Sequence, residues 1–458
     1  MQPSNTITSF LADFYRCPEF GASIKVATGL SPEAGFFSLA DGTVSFGRVS
    51  GIRPSARMSA ILPEARAERT ATGIALPFDP LEVITNLQLE KYTGGISSDP
   101  HGMVRQLYYL LRPLMPVAVR KHLQRFSLRG WERIPFPQWP VDRTVERIYE
   151  WLLAVEMKNR GLNEIPFIWF WPEGHSACVC MTHDVETSVG RDFCTHLMDI
   201  NDAYGIKSSF QVVPEDRYDV PEEFLESIRH KGFEVNVHDL NHDGQLFSGT
   251  RDQFVQRVER INAYGKQFRA RGFRSAVLYR KQAWMSELDF DYDMSVPSVA
   301  HLDPQRGGCC SVMPFFMGDM VEIPVTTIQD YSLFHILGDY STQIWEQQVA
   351  GISDSHGLAS FIVHPDYIIE SRARRTYEVL LAYLAEKRIT DNLWAALPGE
   401  INDWWRARSS MRLVKSGGGW TITGDESERA RVAYAELHDG KVSYRLEAAN
   451  ESLLTASK

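Results

Sequence analysis

Residues 208–242 read SSFQVVPEDRYDVPEEFLESIRHKGFEVNVHDLNH, and the change of period along them decides the fold. Ser208-Ser-Phe-Gln-Val-Val is an apolar run of strand length. Pro221 to Lys231 has helical spacing with proline at its first position, and Phe233-Glu-Val-Asn-Val is a second apolar strand. The same unit recurs on both sides. Upstream, Ala177-Cys-Val-Cys-Met-Thr precedes a helical segment over 191–204. Downstream come a helix near 251–270, Gly272-Phe-Arg-Ser-Ala, Val321-Glu-Ile-Pro-Val, a helix near 342–352, Ala359-Ser-Phe-Ile-Val, a helix near 370–387 and Leu393-Trp-Ala-Ala-Leu. Strands that each return through a helix are parallel with right-handed crossovers. Residues 165–408 are therefore predicted to form an α/β domain, either a barrel or an open sheet.

In such folds the chemistry gathers at the carboxyl ends of the strands, where the strand-to-helix loops meet. Four strand ends carry ionisable residues here: Thr182-His183-Asp184-Val185-Glu186, His238-Asp-Leu-Asn-His242, Phe273-Arg274 and His364-Pro-Asp366. His238 and His242, spaced i, i+4, share a face if the chain turns helical, and two imidazoles with one carboxylate suit Zn²⁺ with a position left for water. As bare spacing, the pair reads equally well as packing. Asp184 and Glu186 share a face on an extended chain, so one could bind metal while the other accepts a proton. Asp184 or Thr187 would also suit a helix N-cap. Arg274 reads as a fork that orients a carboxylate, or as a plain surface residue. His364 reads as a general acid or as a structural histidine.

The bulk properties narrow the classes. The chain has 458 residues, enough for two to four domains, and a formal net charge of −10, which argues against nucleic-acid binding. Six sparse cysteines do not suggest a disulfide framework, and no apolar run reaches membrane-spanning length. The first residues lack the basic and apolar regions of a secretory leader, so a cytoplasmic location is expected. Residues 1–100 read as β-rich, with a hairpin around Asp41-Gly42. Residues 101–164 read as a proline-broken helical linker. Its basic stretch, 105–129, would be a solvated face or a peripheral contact with a membrane surface. Residues 409–458 read as a small β-rich tail, with Ser416-Gly-Gly-Gly as a linker and a second hairpin at Asp439-Gly440. Gly307-Gly308-Cys309-Cys310 reads as a glycine loop that could line a site. No His-Glu-x-x-His, Gly-x-Ser-x-Gly or phosphate-cradling loop occurs.

The four strand-end motifs, in this order, resemble those of the polysaccharide deacetylases, the NodB-homology carbohydrate esterases. The resemblance covers residues 165–400. It implies a distorted (β/α) barrel, flanked here by the two β-rich regions. It also implies a hydrolase acting on carbon–nitrogen bonds other than peptide bonds, with one divalent transition metal (Zn²⁺) and an acetylated sugar or glycan as substrate. By this resemblance Glu186, His238 and His242 hold the metal, Asp184 is the base, Arg274 orients it, and His364 is the acid. The first motif is Asp184-Val185-Glu186 where the family usually has two adjacent aspartates, so Asp184 rather than Glu186 on the metal stays open. The aspartate that supports the acid is Asp293 or Asp330. Two other readings remain: an amide hydrolase for a small non-carbohydrate molecule, and a catalytically silent glycan-binding protein.

Overall fold

The structure, a computed structural model, describes residues 7–18, 24–71, 73–95, 128, 130–417 and 419–447. Its largest element is a curled sheet. The strands are β1 (Cys178–Val185), β2 (Ser208–Val212), β3 (Glu234–His238), β4 (Gly272–Arg274), β5 (Tyr292–Asp293), β6 (Phe315–Met317), β7 (Met320–Glu322) and β8 (Leu358–Ile362). They lie in the order β6-β7-β5-β4-β3-β2-β1-β8. Every pairing is parallel except that of β6 with β7. A short ninth strand, β9 (Trp394–Ala395), lies parallel to the start of β1.

Helices α1 (Ser188–Ala203), α2 (Glu222–His230), α3 (Arg251–Gln267), α4 (Gln343–Ser353) and α5 (Ser371–Thr390) pack on this sheet. Leu197, Ile228, Ile261, Val349 and Leu381 from the helices share one core with Val179, Phe210, Val235, Phe273 and Phe361 from the strands. Each predicted strand and helix of this region is present, with ends shifted by a few residues.

The sheet closes into a barrel by unusual means. Beyond β7, Pro324 has no N–H to offer a neighbouring strand. The following residues reach β8 through one backbone bond, Thr327 N–H to Ser360 O at 3.2 Å. Thr326 Oγ1 supplies two more, donating to Leu358 O (2.6 Å) and accepting from Ser360 N–H (2.8 Å). The distortion expected of the barrel is this seam, where threonine side chains stand in for a ladder.

The flanks are more mixed than their sequence suggests. The hairpin Gly35–Ser38 with Val44–Gly47 forms as expected. Residues 24–26, 68–70 and 73–76 form a second small sheet. A helix over Pro80–Gln88 joins them; Asp79 caps it by accepting from the Leu81 and Glu82 amides, and proline stands at its start. The basic stretch read as a linker or membrane contact lies almost wholly outside the described residues. Beyond it, the helix Thr144–Arg160 buries Ile148, Leu152 and Met157 in the same core as Phe36, Phe37 and Phe78.

The boundary expected at residue 165 falls inside a strand, Glu164–Ile168, that belongs to the tail. It pairs antiparallel with Val432–His438, whose hairpin partner is Lys441–Leu446. Asp439 and Gly440 both have positive φ, as a tight two-residue turn requires. The glycine run read as a linker is instead the turn of another hairpin, Arg412–Ser416 with Gly419–Thr423. Among the described residues no helix is long and apolar enough to cross a membrane.

The glycine loop 307–310 does not line the strand-end site. Gly308 is gripped by the N-terminal region: its N–H donates to Glu90 Oε1 (2.6 Å), and Tyr92 Oη donates to its carbonyl (2.5 Å). Its φ is +141°, and a Cβ there would stand 2.1 Å from the Ser298 carbonyl oxygen. Gly308→Ala is thus expected to destabilise by about 3 kcal/mol, because backbone cannot give way as a flexible side chain can. A clearly lowered thermal unfolding midpoint is the expected result, read by calorimetry.

Candidate active site

β1 is buried along its whole length, and its two faces do different work. Alternate side chains point to opposite sides. His183 faces the helices: its Nδ1 meets Val363 O (3.0 Å) and its Nε2 lies 2.8 Å from Asn201 Nδ2. Burial pushes this imidazole down to about 4, so it is neutral and structural. Thr182 and Asp184 face the barrel interior, where both meet Arg274 Nη1 at 2.7 Å.

Arg274 is fully buried, and its Nε donates to Met294 O (3.0 Å). A buried ion pair that loses one partner costs about 3–5 kcal/mol, since a bare charge remains in a dry interior. Burial by itself would raise the Asp184 carboxyl. Arg274, then His238 and His364, outweigh it and hold the group below its usual value.

The strand ends bring the remaining groups together. Glu186 Oε1 lies 2.8 Å from His242 Nε2 and 3.7 Å from His238 Nε2. Asp184 Oδ2 lies 3.7 Å from His238 Nε2, with its other oxygen committed to Arg274. Glu186, His238 and His242 can thus offer three ligand atoms within 4.8 Å of one another, and Asp184 is not part of that group. Burial opposes the charge on Glu186, but His242 and its neighbours hold the carboxyl well below its usual value. The Glu186 side chain is 22% exposed, so the cluster opens to solvent on its side.

The donor set fits a divalent cation. Nε2 of His238 and of His242 are buried and make no hydrogen bond among the described residues. His238 Nδ1 lies 3.1 Å from Arg274 O, where its N–H donates and leaves the Nε2 lone pair facing Glu186. Arg217, which donates to His242 O at the rim, lies 3.2 Å from His242 Nδ1.

His364 stands across the cluster, with Nε2 3.3 Å from Glu186 Oε1. Of the two aspartates left open by the sequence, Asp330 is the one beside it. Asp330 Oδ1 accepts from His364 Nδ1 and Oδ2 from the His364 amide, both at 2.7 Å. Burial disfavours a charge on His364, but Asp330 first, then Glu186, lift the imidazole well above its usual value. Asp293 instead receives Ser295 N–H and Oγ–H and faces Glu322 on the neighbouring strand.

Three contributors were not anticipated. Thr182 shares Arg274 with Asp184. Asp239, between the histidines, accepts from Ala276 N–H (3.2 Å) and donates its own amide to Arg274 O (2.8 Å). The loop after Arg274 holds Val277 and Leu278 at φ +59° and +52°, a region that costs side-chain-bearing residues about 1–2 kcal/mol each. The Leu278 side chain packs with Val325 and with Ile362 at the end of β8. Asp239 carried a sequence signal, its place inside the His-x-x-x-His run, as did Thr182, two residues before Asp184 on the same strand face; the strained loop carried none.

No protein-family profile matches the chain, and no curated protein matches it. Solved structures do resemble it. A Mycobacterium smegmatis protein assigned to the polysaccharide deacetylases is 18% identical, covering 55% of this chain and 97% of its own, with a TM-score of 0.42. The peptidoglycan deacetylase PdaC of Bacillus subtilis is 10% identical, covering 52% and 96%, with a TM-score of 0.35. A family 4 acetyl xylan esterase from Clostridium thermocellum, solved with a cobalt ion, is 13% identical, covering 50% and 91%, with a TM-score of 0.31. These are likenesses of fold.

Proposed function

We propose that this chain is a metal-dependent deacetylase, a hydrolase that removes an acetyl group, N-acetyl by preference, from a carbohydrate or glycan precursor. One observation supports it above the others. Three pairings converge at neighbouring strand ends: Glu186 with two bare imidazole nitrogens, Asp184 with Arg274, and His364 with Asp330.

A divalent cation held by Glu186, His238 and His242, Zn²⁺ by the nature of the donors, would polarise the acetyl carbonyl and acidify water beside it. Asp184, kept ionised by Arg274, accepts a proton from water as the water oxygen bonds to the carbonyl carbon. His364 then delivers its Nε2 proton to the departing nitrogen as the carbon–nitrogen bond breaks, leaving acetate and a free amine. The two groups need opposite protonation states, and their surroundings push them apart in the required directions.

The decisive measurement is acetate release from a panel of N- and O-acetylated sugars, with metal content determined on the same preparation. Acetate release that follows metal content is the expected result. A folded protein that holds no transition metal and frees no acetate would favour a silent glycan-binding role instead. Activity confined to small non-sugar amides would leave the chemistry and overturn the substrate.

Asp330 supplies a test by pH. The acid works while protonated, so activity falls as pH rises through the raised His364 value. Asp330→Asn removes the leading cause of that rise. Its alkaline limb is expected at lower pH than in the wild type, with the acid limb, set by Asp184, left in place. A pH–rate profile of kcat/KM reads both limbs, and coincident alkaline limbs would show that Asp330 does not support the acid.

A further inference from the structure

From the geometry we infer that Glu90 and Arg280 are positioning residues, through which the N-terminal region holds the metal-ligand loop in its binding form. The inference rests on the reading that His238 and His242 bind a cation. Glu90 lies just after the helix Pro80–Gln88, in a tight turn at φ +54°. Its carboxylate is buried and forms a bidentate pair with Arg280, Nε to Oε2 at 2.6 Å and Nη2 to Oε1. It also accepts from Gln282 Nε2 (2.5 Å) and from the Gly308 amide (2.6 Å). Every oxygen lone pair that matters is thereby committed to the barrel, not to the N-terminal region.

Arg280 passes the constraint on. Its Nη1 donates to Leu278 O (2.8 Å), so the guanidinium grips the loop that follows Arg274 at its most strained residue pair, Val277 and Leu278. At its other end the loop is held by Ala276 N–H on Asp239, the residue after His238. Asp239 and His242 themselves have φ of +56° and +55°. Strained backbone persists only where its surroundings over-determine it. Here the anchors are Arg280 on Glu90, Ala276 on Asp239, Gln305 bonded to both the Arg280 N–H and its carbonyl (3.0 Å each), and the packing of Leu278 with Val325 and Ile362. Releasing the first lets Val277 and Leu278 relax, and Asp239 with its flanking histidines moves with them.

The test uses the full chain, stripped of metal and titrated with Co²⁺ while the visible d–d bands are followed. Glu90→Gln and Arg280→Met are each expected to weaken Co²⁺ at least tenfold and to alter the band shape, as outer-shell changes at metal sites do. The double variant should be no weaker than the worse single one, because both act through one link. Arg48→Ala is the control, since it breaks the exposed Arg48–Glu82 pair in the same region and should leave affinity within twofold.

Wild-type affinity in Glu90→Gln and Arg280→Met would overturn the inference. If neither folds, Arg280→Lys decides, because it keeps a charge beside Glu90 but lacks the fork that reaches Glu90 and Leu278 O together: weaker Co²⁺ supports the link and unchanged Co²⁺ overturns it. A wild type that binds no Co²⁺ is a different failure, that of the metal site itself.

Discussion

Asp184→Asn is expected to lower acetate release by about two to four orders of magnitude, the usual worth of a positioned general base, while metal content stays at the wild-type level. The substitution keeps the shape of the side chain, and its amide oxygen can still accept from Arg274 Nη1, 2.7 Å away from the carboxylate oxygen it replaces. What it removes is the basic carboxylate. Glu186, His238 and His242 are untouched, so the cation has no reason to leave. The same experiment settles the division of labour between the two carboxylates. If Asp184→Asn loses its metal and Glu186→Gln keeps it, the roles are exchanged. Some loss of stability accompanies the change, because Arg274 is left as a charge buried without its counter-ion.

The second large effect concerns the histidines. His238→Ala and His242→Ala should each reduce bound metal to a small fraction of one equivalent and abolish acetate release. A further readout is independent of turnover. A ligand that binds only the folded state stabilises it, by about 2.7 kcal/mol at a hundred times its dissociation constant. The wild type should therefore melt higher as Zn²⁺ is added, and both variants should lose that response. His238→Ala should also lower the metal-free melting temperature more than His242→Ala. His238 lies deeper and holds the Arg274 carbonyl through Nδ1, whereas His242 packs toward the rim beside Arg217. A Zn²⁺-dependent rise that survives in both variants would remove these histidines from the ligand set.

Much of the barrel was legible because its signals are local. Apolar runs of strand length, helical spacing, Pro221 at a helix start and the Asp439-Gly440 turn each act over a few residues, and each matches an observed element. The strand-end rule placed six chemistry-bearing side chains for the same reason, since a strand that runs into ionisable residues marks the functional rim of a parallel sheet. Misreadings came where local composition allowed two outcomes. A glycine run can be a linker or a turn, and the antiparallel pairing of Arg412–Ser416 with Gly419–Thr423 made it a turn. The glycine loop beside Cys309 and Cys310 looked like site lining, yet its glycines serve the close approach of Gly308 to the Ser298 carbonyl and of Glu90 and Tyr92 to Gly308.

Long-range selection was beyond local reading. Asp330 lies 34 residues from His364, and nothing in its neighbours separates it from Asp293. Only the folded chain shows Asp330 under the imidazole and Asp293 facing Glu322. The boundary placed at residue 165 likewise held only until the pairing of Glu164–Ile168 with Val432–His438 assigned that stretch to the tail.

The sequence by itself determined that repeated strand–helix units would build a parallel sheet, and that Asp184, Glu186, His238, His242, Arg274 and His364 would stand at its carboxyl rim. Period and strand-end position are properties of short stretches of chain. The tertiary structure decided which carboxylate faces both imidazoles, which aspartate lies under the His364 imidazole, and how Glu90 reaches the loop after Arg274 through Arg280. Those outcomes depend on distances between residues far apart in the chain, which only packing brings within hydrogen-bond reach.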